Sequence, residues 1–174
     1  MANLKYCSRC IYTSDIPNIR FDSKGVCNYC KVHDDLEKDY PNDVVGQHQL
    51  ESLFKQIKSE GTNKNKKYDC IVGVSGGCDS SYLLYKAVSS GLNPLAVHFD
   101  NTWNSAIATM NINRMVKKLK VDLFTVVVNN KEYDDIYRAF MLSGVKDIES
   151  PTDIGLVSAM YKACNKYKIK YILT

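Results

Sequence analysis

Seven consecutive residues, Ser75-Gly-Gly-Cys-Asp-Ser-Ser81, are all of types that suit a phosphate group. They follow a short apolar run ending at Val74 and open an amphipathic stretch. The loop is therefore predicted to join a buried strand to a helix, the context that makes a glycine pattern specific. Gly76 and Gly77 lack a Cβ, so the backbone there can take positive φ, approach a ligand closely and turn successive amides into one concavity. The positive end of the following helix adds to the attraction for an anion. Ser75, Ser80 and Ser81 offer hydroxyls to phosphate oxygens, and Asp79 can hold a magnesium ion that neutralises the same phosphates. No Gly-Lys-Ser/Thr ending follows, so this is not a loop that steadies a γ-phosphate for transfer; it points instead to cleavage between the α- and β-phosphates. The plainer alternative is a tight strand-to-helix turn with a serine as N-cap. Cys78 reads either as a nucleophile or as a small filler of the loop, and its neighbours include no obvious base.

A second set of residues with chemistry is Cys7-Ser-Arg-Cys10 and Cys27-Asn-Tyr-Cys30, two C-x-x-C pairs separated by 16 residues. That spacing lies in the range of a four-cysteine zinc site, in which each pair forms a knuckle and two knuckles complete a closed tetrahedron. A redox dithiol or an iron-sulfur cluster would also accept four cysteines. His33 either replaces a ligand or faces solvent at a helix start. Between the pairs, Ile19 to Val26 alternates apolar and polar residues around Asp-Ser-Lys-Gly, which predicts a short hairpin returning the second knuckle to the first.

The elements that must position these residues divide the chain into a stapled segment over 1–45, a connector helix and linker over 46–67, and an α/β domain over 68–174. Leu50, Leu53, Phe54 and Ile57 form one face of the connector helix, which Gly61 is expected to end. In the α/β part, strands are predicted over 69–74, 95–99, 123–128 and 170–174. Helices are predicted over 80–90, 104–119 and 154–167, with another along Tyr133, Ile136, Tyr137, Phe140 and Met141. Their strict alternation predicts a parallel sheet. The Tyr and Met stripes are read as core. The chain stops at Thr174 directly after a strand, which leads to the expectation of a longer protein with further active-site residues beyond it.

Composition sets the background. The 45% apolar and 24% charged residues are an ordinary globular balance, and no apolar run approaches the roughly 20 residues of a membrane span. No signal-like segment opens the chain, so a soluble, cytoplasmic protein is expected, in which cysteines serve as ligands, core or nucleophiles. The net charge of +4 is mild, and the basic cluster Lys64, Lys66 and Lys67 reads as a solvated loop. Nucleic acid is not demanded, and a phosphate-rich small molecule suits the same balance.

The Ser-Gly-Gly-x-Asp-Ser loop resembles the signature of the PP-loop ATP pyrophosphatases. Within that superfamily, the combination of Cys7, Cys10, Cys27 and Cys30 with Tyr68 to Ser81, His98-Phe-Asp-Asn-Thr-Trp-Asn-Ser105 and Ser150-Pro-Thr-Asp-Ile-Gly155 looks like the N-acetyl sugar amidotransferases. The resemblance implies an α/β fold with a parallel doubly wound sheet of the adenine nucleotide alpha hydrolase-like (HUP) kind and an N-terminal four-cysteine zinc ribbon. It implies ATP, Mg2+ and Zn2+ as cofactors. Val74, Ser75, Gly76, Gly77, Asp79, Ser80 and Ser81 would then bind pyrophosphate and magnesium, with Asp79 and Ser80 carrying the catalytic role. His98, Phe99 and Asp100 would border adenine and ribose. Thr152 and Asp153, expected to cap a helix at the same edge, would face the sugar or the AMP, a plain N-cap being the alternative for Thr152. Trp103 would stack on a base or sugar, or pack against the sheet edge. A glycine is expected where Thr102 stands.

The family's chemistry adenylates a substrate oxygen, releases pyrophosphate and lets a nitrogen or sulfur nucleophile displace AMP. The implied activity is conversion of an acetamido group on a nucleotide-linked sugar to acetamidino, in the synthesis of surface polysaccharide. Ammonia would come from a separate glutaminase subunit, with a cyclase-like channel protein. The alternatives are a tRNA-thiolating enzyme of the same superfamily and a nucleotide- or zinc-binding module without catalysis.

Overall fold

Residues 70–73 are a run of small and β-branched apolar side chains, and this run becomes the central strand of the α/β unit. The structure is a computed structural model that describes residues 4–63 and 66–174; Lys64 of the basic cluster lies outside them. In chain order the elements are α1 (Asn28–Asp39), α2 (Val44–Asn63), β1 (Cys70–Gly73), α3 (Cys78–Ser89), β2 (Pro94–Asp100), α4 (Ala106–Leu119), β3 (Leu123–Val127), α5 (Asn130–Leu142), α6 (Ser150–Tyr167) and β4 (Tyr171–Leu173). Two compact units are formed, Met1–Glu51 and Ser52–Thr174.

In the second unit all four strands are parallel, in the order β3-β2-β1-β4. Side chains of a strand alternate between faces, and here each face has its own core. Cys70, Val72, Val74 and Ala96 pack with Phe54, Ile57, Leu84, Ala87, Ile112 and Val116 of α2, α3 and α4. Ile71, Leu95 and Val97 pack with Ala159, Met160 and Ala163 of α6. The sheet is thus covered by helices on both sides, as the doubly wound reading requires. β4 is tied to α2 at one edge: the Tyr171 hydroxyl donates to Glu60 Oε1 at 2.6 Å and Lys170 Nζ lies 2.9 Å from Glu60 Oε2.

Several expectations change in detail. α2 continues through Gly61, which does not end it; a Cβ at Gly61 would overlap the Asp69 carboxylate, so this glycine serves close packing. Only Phe54 and Ile57 of the connector stripe are buried, whereas Leu50 and Leu53 are exposed. On α4 the core face is Ile112 and Val116, with Ile107 and Met110 outside. On α5 the tyrosines are buried and Ile136 and Met141 are not. Helix α1, expected only as a helix start near His33, begins earlier, at Asn28, and runs to Asp39.

The first unit has a core of Cys7, Cys27 and Cys30, with Ile19, Phe21 and Val26 against it. The predicted turn at 22–25 forms, with Gly25 N donating to Asp22 O at 3.0 Å and Gly25 at φ +78°. The flanks pair through a single bridge, Phe21 with Cys27, not a ladder. No helix among the described residues is long and apolar enough to cross a membrane.

Candidate functional site

In the order β3-β2-β1-β4, the chain leaves β1 toward β2 and β3 and returns on β1's other side as β4. Connections diverge at such a point, opening a crevice outside the carboxyl ends of the two strands, where open α/β sheets take their ligands. A cleft of about 460 Å³ lies there, lined by Gly73, Val74, Ser75, Asp79, Ser80, Leu83, Leu156, Met160 and Thr174. One wall is the predicted loop, and the other is apolar and comes from α3 and α6. Leu83, Leu156 and Met160 were not singled out in the sequence, since only the α6 crossing brings the last two beside β1.

The loop is held by its own serines. Ser75 N donates to Ser80 Oγ at 3.2 Å, the two hydroxyls are 3.2 Å apart, and Gly77 N donates to Ser75 Oγ at 3.4 Å. The Ser81 hydroxyl donates its one proton to the Gly77 carbonyl at 2.6 Å, so it shapes the loop in this arrangement. Gly77 is the N-cap of α3, and no side chain caps that end. The backbone N–H groups of Cys78, Asp79 and Ser80 bond no group among the described residues. Three free donors and the helix partial charge are the features that favour an anion at a helix N-terminus. Asp79 stands exposed in the first turn, where a carboxylate favours the helix and is available to a cation bridging to phosphate.

The two glycines differ. Gly76 has φ +81°, and a Cβ there would lie 2.8 Å from Ala108 Cα of α4. Gly77 is extended, at φ −81° and ψ 174°, and a Cβ would meet only Ser75 Oγ at 3.5 Å. Positive φ, expected to be open to both, is used by Gly76 alone.

The residues at the end of β2 and in the turn that follows do not line the cleft. His98 is buried, with Nδ1 2.9 Å from the Val74 carbonyl and Nε2 3.4 Å from Asn104 Nδ2. The carbonyl can only accept, so Nδ1 carries the proton and Nε2 accepts from Asn104. Asp100 Oδ1 accepts from Thr102 N and Asn104 Nδ2, both at 2.8 Å, which organises the β2–α4 turn. Thr102 takes φ +67°, the left-handed region that favours glycine, and this accounts for the expectation of glycine at that position. Phe99 packs on Gly155, whose Cβ would fall 2.9 Å or less from its ring.

Thr152 does not cap α6. The N-cap is Glu149, and Thr152 N donates to Glu149 O at 2.8 Å, inside the first turn. The helix begins at Ser150, earlier than the Thr-Asp pair suggested, and Pro151, which needs no N–H partner, fits its first turn. The Thr152 hydroxyl lies 2.8 Å from both the Tyr133 and Tyr137 hydroxyls, and Tyr137 donates to Glu149 Oε2 at 3.1 Å. Burial raises the Tyr137 pKa and the Glu149 carboxylate adds to it, outweighing the Thr152 bond, which lowers it. Trp103 packs on Tyr133 and Tyr137 of α5, not against the sheet edge: its ring centroid is 4.4 Å from that of Tyr137, while half of its surface stays exposed. Asp153 is exposed.

In the first unit the four sulfurs all lie within 4.8 Å of one another, with Cys7 and Cys30 Sγ 3.9 Å apart and Cys10 and Cys27 Sγ 3.7 Å apart. A tetrahedron of Zn–S bonds of about 2.3 Å has edges of about 3.8 Å, so the donor set fits that ion. A disulfide would require about 2.05 Å. Burial raises the Cys7 thiol, but donation from the N–H groups of Arg9, Cys10 and Cys27 outweighs it and brings the pKa to about 6. Burial pushes Cys30 up to about 12. His33 is exposed and outside this set, facing Asp34 and Glu37.

No model of a known protein family matches the sequence, and no curated protein matches it. Solved structures do share its fold. A glutamine-dependent NAD+ synthetase from Acinetobacter baumannii, in complex with adenosine diphosphate, aligns at TM-score 0.51 and 19% identity over 67% of this chain and 23% of its own. An NH3-dependent NAD synthetase from Campylobacter jejuni aligns at TM-score 0.50 and 16% identity over 71% of this chain and 53% of its own. An NMN synthetase from Francisella tularensis aligns at TM-score 0.47 and 19% identity over 68% of this chain and 49% of its own. The chain thus spans well under two thirds of each of these structures. The parallel α/β sheet of the second unit has the HUP-like fold of the NAD synthetases.

Proposed function

We propose that this chain is the ATP-binding part of an AMP-forming ligase that transfers ammonia to an adenylated substrate. The observation that carries the reading is the cleft at the switch point of the sheet, where the free amides of α3, the Asp79 carboxylate and an apolar wall meet. The amides of Cys78, Asp79 and Ser80 and the hydroxyl of Ser75 would hold pyrophosphate; Asp79 would hold the magnesium ion. Leu83, Leu156 and Met160 offer a surface for the base. No lysine lines the cleft among the described residues, in keeping with cleavage between the α- and β-phosphates. The fold shared with an NH3-dependent synthetase supports ammonia as the nucleophile.

For the substrate, the resemblance to the N-acetyl sugar amidotransferases supports an acetamido group on a nucleotide-linked sugar, converted to acetamidino for a surface polysaccharide. Ammonia would be delivered in the cytoplasm by a glutaminase partner, with a cyclase-like subunit. Cys7, Cys10, Cys27 and Cys30 would hold a structural zinc, whose contribution is to fold a unit with little apolar core of its own.

The test is to supply MgATP, an acetamido-sugar nucleotide and ammonium to the whole protein and follow the nucleotide products. AMP and pyrophosphate, with a sugar product about one mass unit lighter, are expected. ADP and phosphate would refute the mechanism. AMP formation that depends on tRNA and a sulfur donor would transfer the chain to the thiolating enzymes.

A further inference from the structure

We infer that Asn111 of α4 is a positioning residue of the phosphate loop, holding the Gly76–Gly77 peptide in the orientation that admits an anion. The inference rests on the reading that this loop takes pyrophosphate. Asn111 Nδ2 donates to the Gly76 carbonyl at 3.1 Å, reaching across from a helix whose backbone at Ala108 is in contact with Gly76. In a planar trans peptide the C=O and N–H point in opposite directions. With the Gly76 oxygen drawn to α4, the Gly77 N–H is turned to the inner side of the loop, where it meets Ser75 Oγ.

The need for such a clamp follows from the residues on each side of the bond. Rotating this peptide changes ψ of Gly76 and φ of Gly77, and both are glycines, so no Cβ opposes the rotation. It is the loop peptide freest to turn over. Turned over, it would put a carbonyl oxygen beside the three free amides of α3, and that partial negative charge would repel phosphate. Two peptides earlier, the Val74–Ser75 peptide is held in a corresponding way, by the buried His98 imidazole at the Val74 carbonyl. Asn111 thus does for the glycine pair what the His98 hydrogen bond does for Val74.

The test uses Asn111→Ala and Asn111→Asp in the whole chain, with binding of MgATP and of magnesium pyrophosphate by calorimetry, melting temperature, and the 15N amide signal of Gly77 without ligand. Asn111→Ala is expected to weaken both ligands about tenfold, which is about 1.4 kcal/mol. Asn111→Asp, whose carboxylate repels the Gly76 oxygen, is expected to weaken them more. Melting should stay within a few degrees, and the Gly77 amide should broaden or double in both variants. Affinities within twofold of wild type together with an unmoved Gly77 signal would overturn the inference. A wild-type protein that binds neither ligand would instead remove the nucleotide-binding reading, while the Gly77 signal would still report whether Asn111 holds the peptide.

Discussion

Replacing the two loop glycines one at a time should separate stability from binding. Gly76→Ala puts a Cβ on a residue at φ +81°, which costs about 1–2 kcal/mol. The same Cβ would lie 2.8 Å from Ala108 Cα, against helix backbone that cannot rotate away, and overpacking of that kind costs about 1–3 kcal/mol. A total of about 2–5 kcal/mol lowers the melting temperature of a domain this size by at least about 6 °C. Gly77→Val faces neither term, because its φ of −81° and ψ of 174° suit a β-branched residue and its Cβ would have 3.5 Å to Ser75 Oγ. Exchanging glycine for valine at an N-cap costs about 0.5–1 kcal/mol, and restricting the unfolded chain returns about as much. Its melting temperature should therefore stay within about 3 °C of wild type, while MgATP affinity falls at least tenfold because the side chain stands where phosphate approaches the backbone. Differential scanning calorimetry and titration calorimetry read the two quantities. Unchanged ATP affinity in Gly77→Val, or unchanged melting in Gly76→Ala, would refute the division of roles.

Thr102→Gly should raise the melting temperature by a few degrees, since relief of the left-handed backbone, about 1–2 kcal/mol, exceeds the entropy of a new glycine, about 0.5–1 kcal/mol; a lower melting temperature would show that the threonine side chain is needed. The Tyr171 hydroxyl, with Lys170, holds the Glu60 pKa down to about 2. A depressed carboxylate stabilises the fold above its unfolded pKa, about 4.3, and that contribution disappears as pH falls from there toward 2. Thermal melts of Glu60→Gln should accordingly lose less stability than wild type over this interval, and parallel curves would contradict it. Protein purified without added metal should carry one zinc per chain by elemental analysis, and Cys27→Ser should lose it and unfold the first unit while circular dichroism of the α/β unit persists; iron with sulfide, or no metal, would reject the zinc site.

How much of this was legible beforehand can be traced to the range of the interactions involved. The Ser75–Ser81 loop, the alternation of strands and helices around it and the paired cysteines depend on neighbours in the chain, and each was readable because local spacing sets it. The four sulfurs converge because C-x-x-C is a local turn, and the sheet is parallel because helices separate its strands. The core faces of α2, α4 and α5 were read too broadly, since periodicity marks which residues share a face but not how far the neighbouring layer extends over it. Thr152 was misplaced as a cap because the helix begins at Ser150, with Glu149 as its N-cap three residues before Thr152 and Pro151 already in the first turn.

Only the tertiary structure decided what each loop residue does. That a Cβ at Gly76 would strike α4 while one at Gly77 would meet only Ser75 Oγ depends on a helix that begins about 30 residues later in the chain. The same holds for Asn111 at the Gly76 carbonyl, for His98 at the Val74 carbonyl, and for Leu156 and Met160 in the cleft wall. A sequence states which side chains can hydrogen-bond or pack. Which of them meet is settled by strand order and helix docking, because those contacts join residues whose separation along the chain leaves no periodic trace.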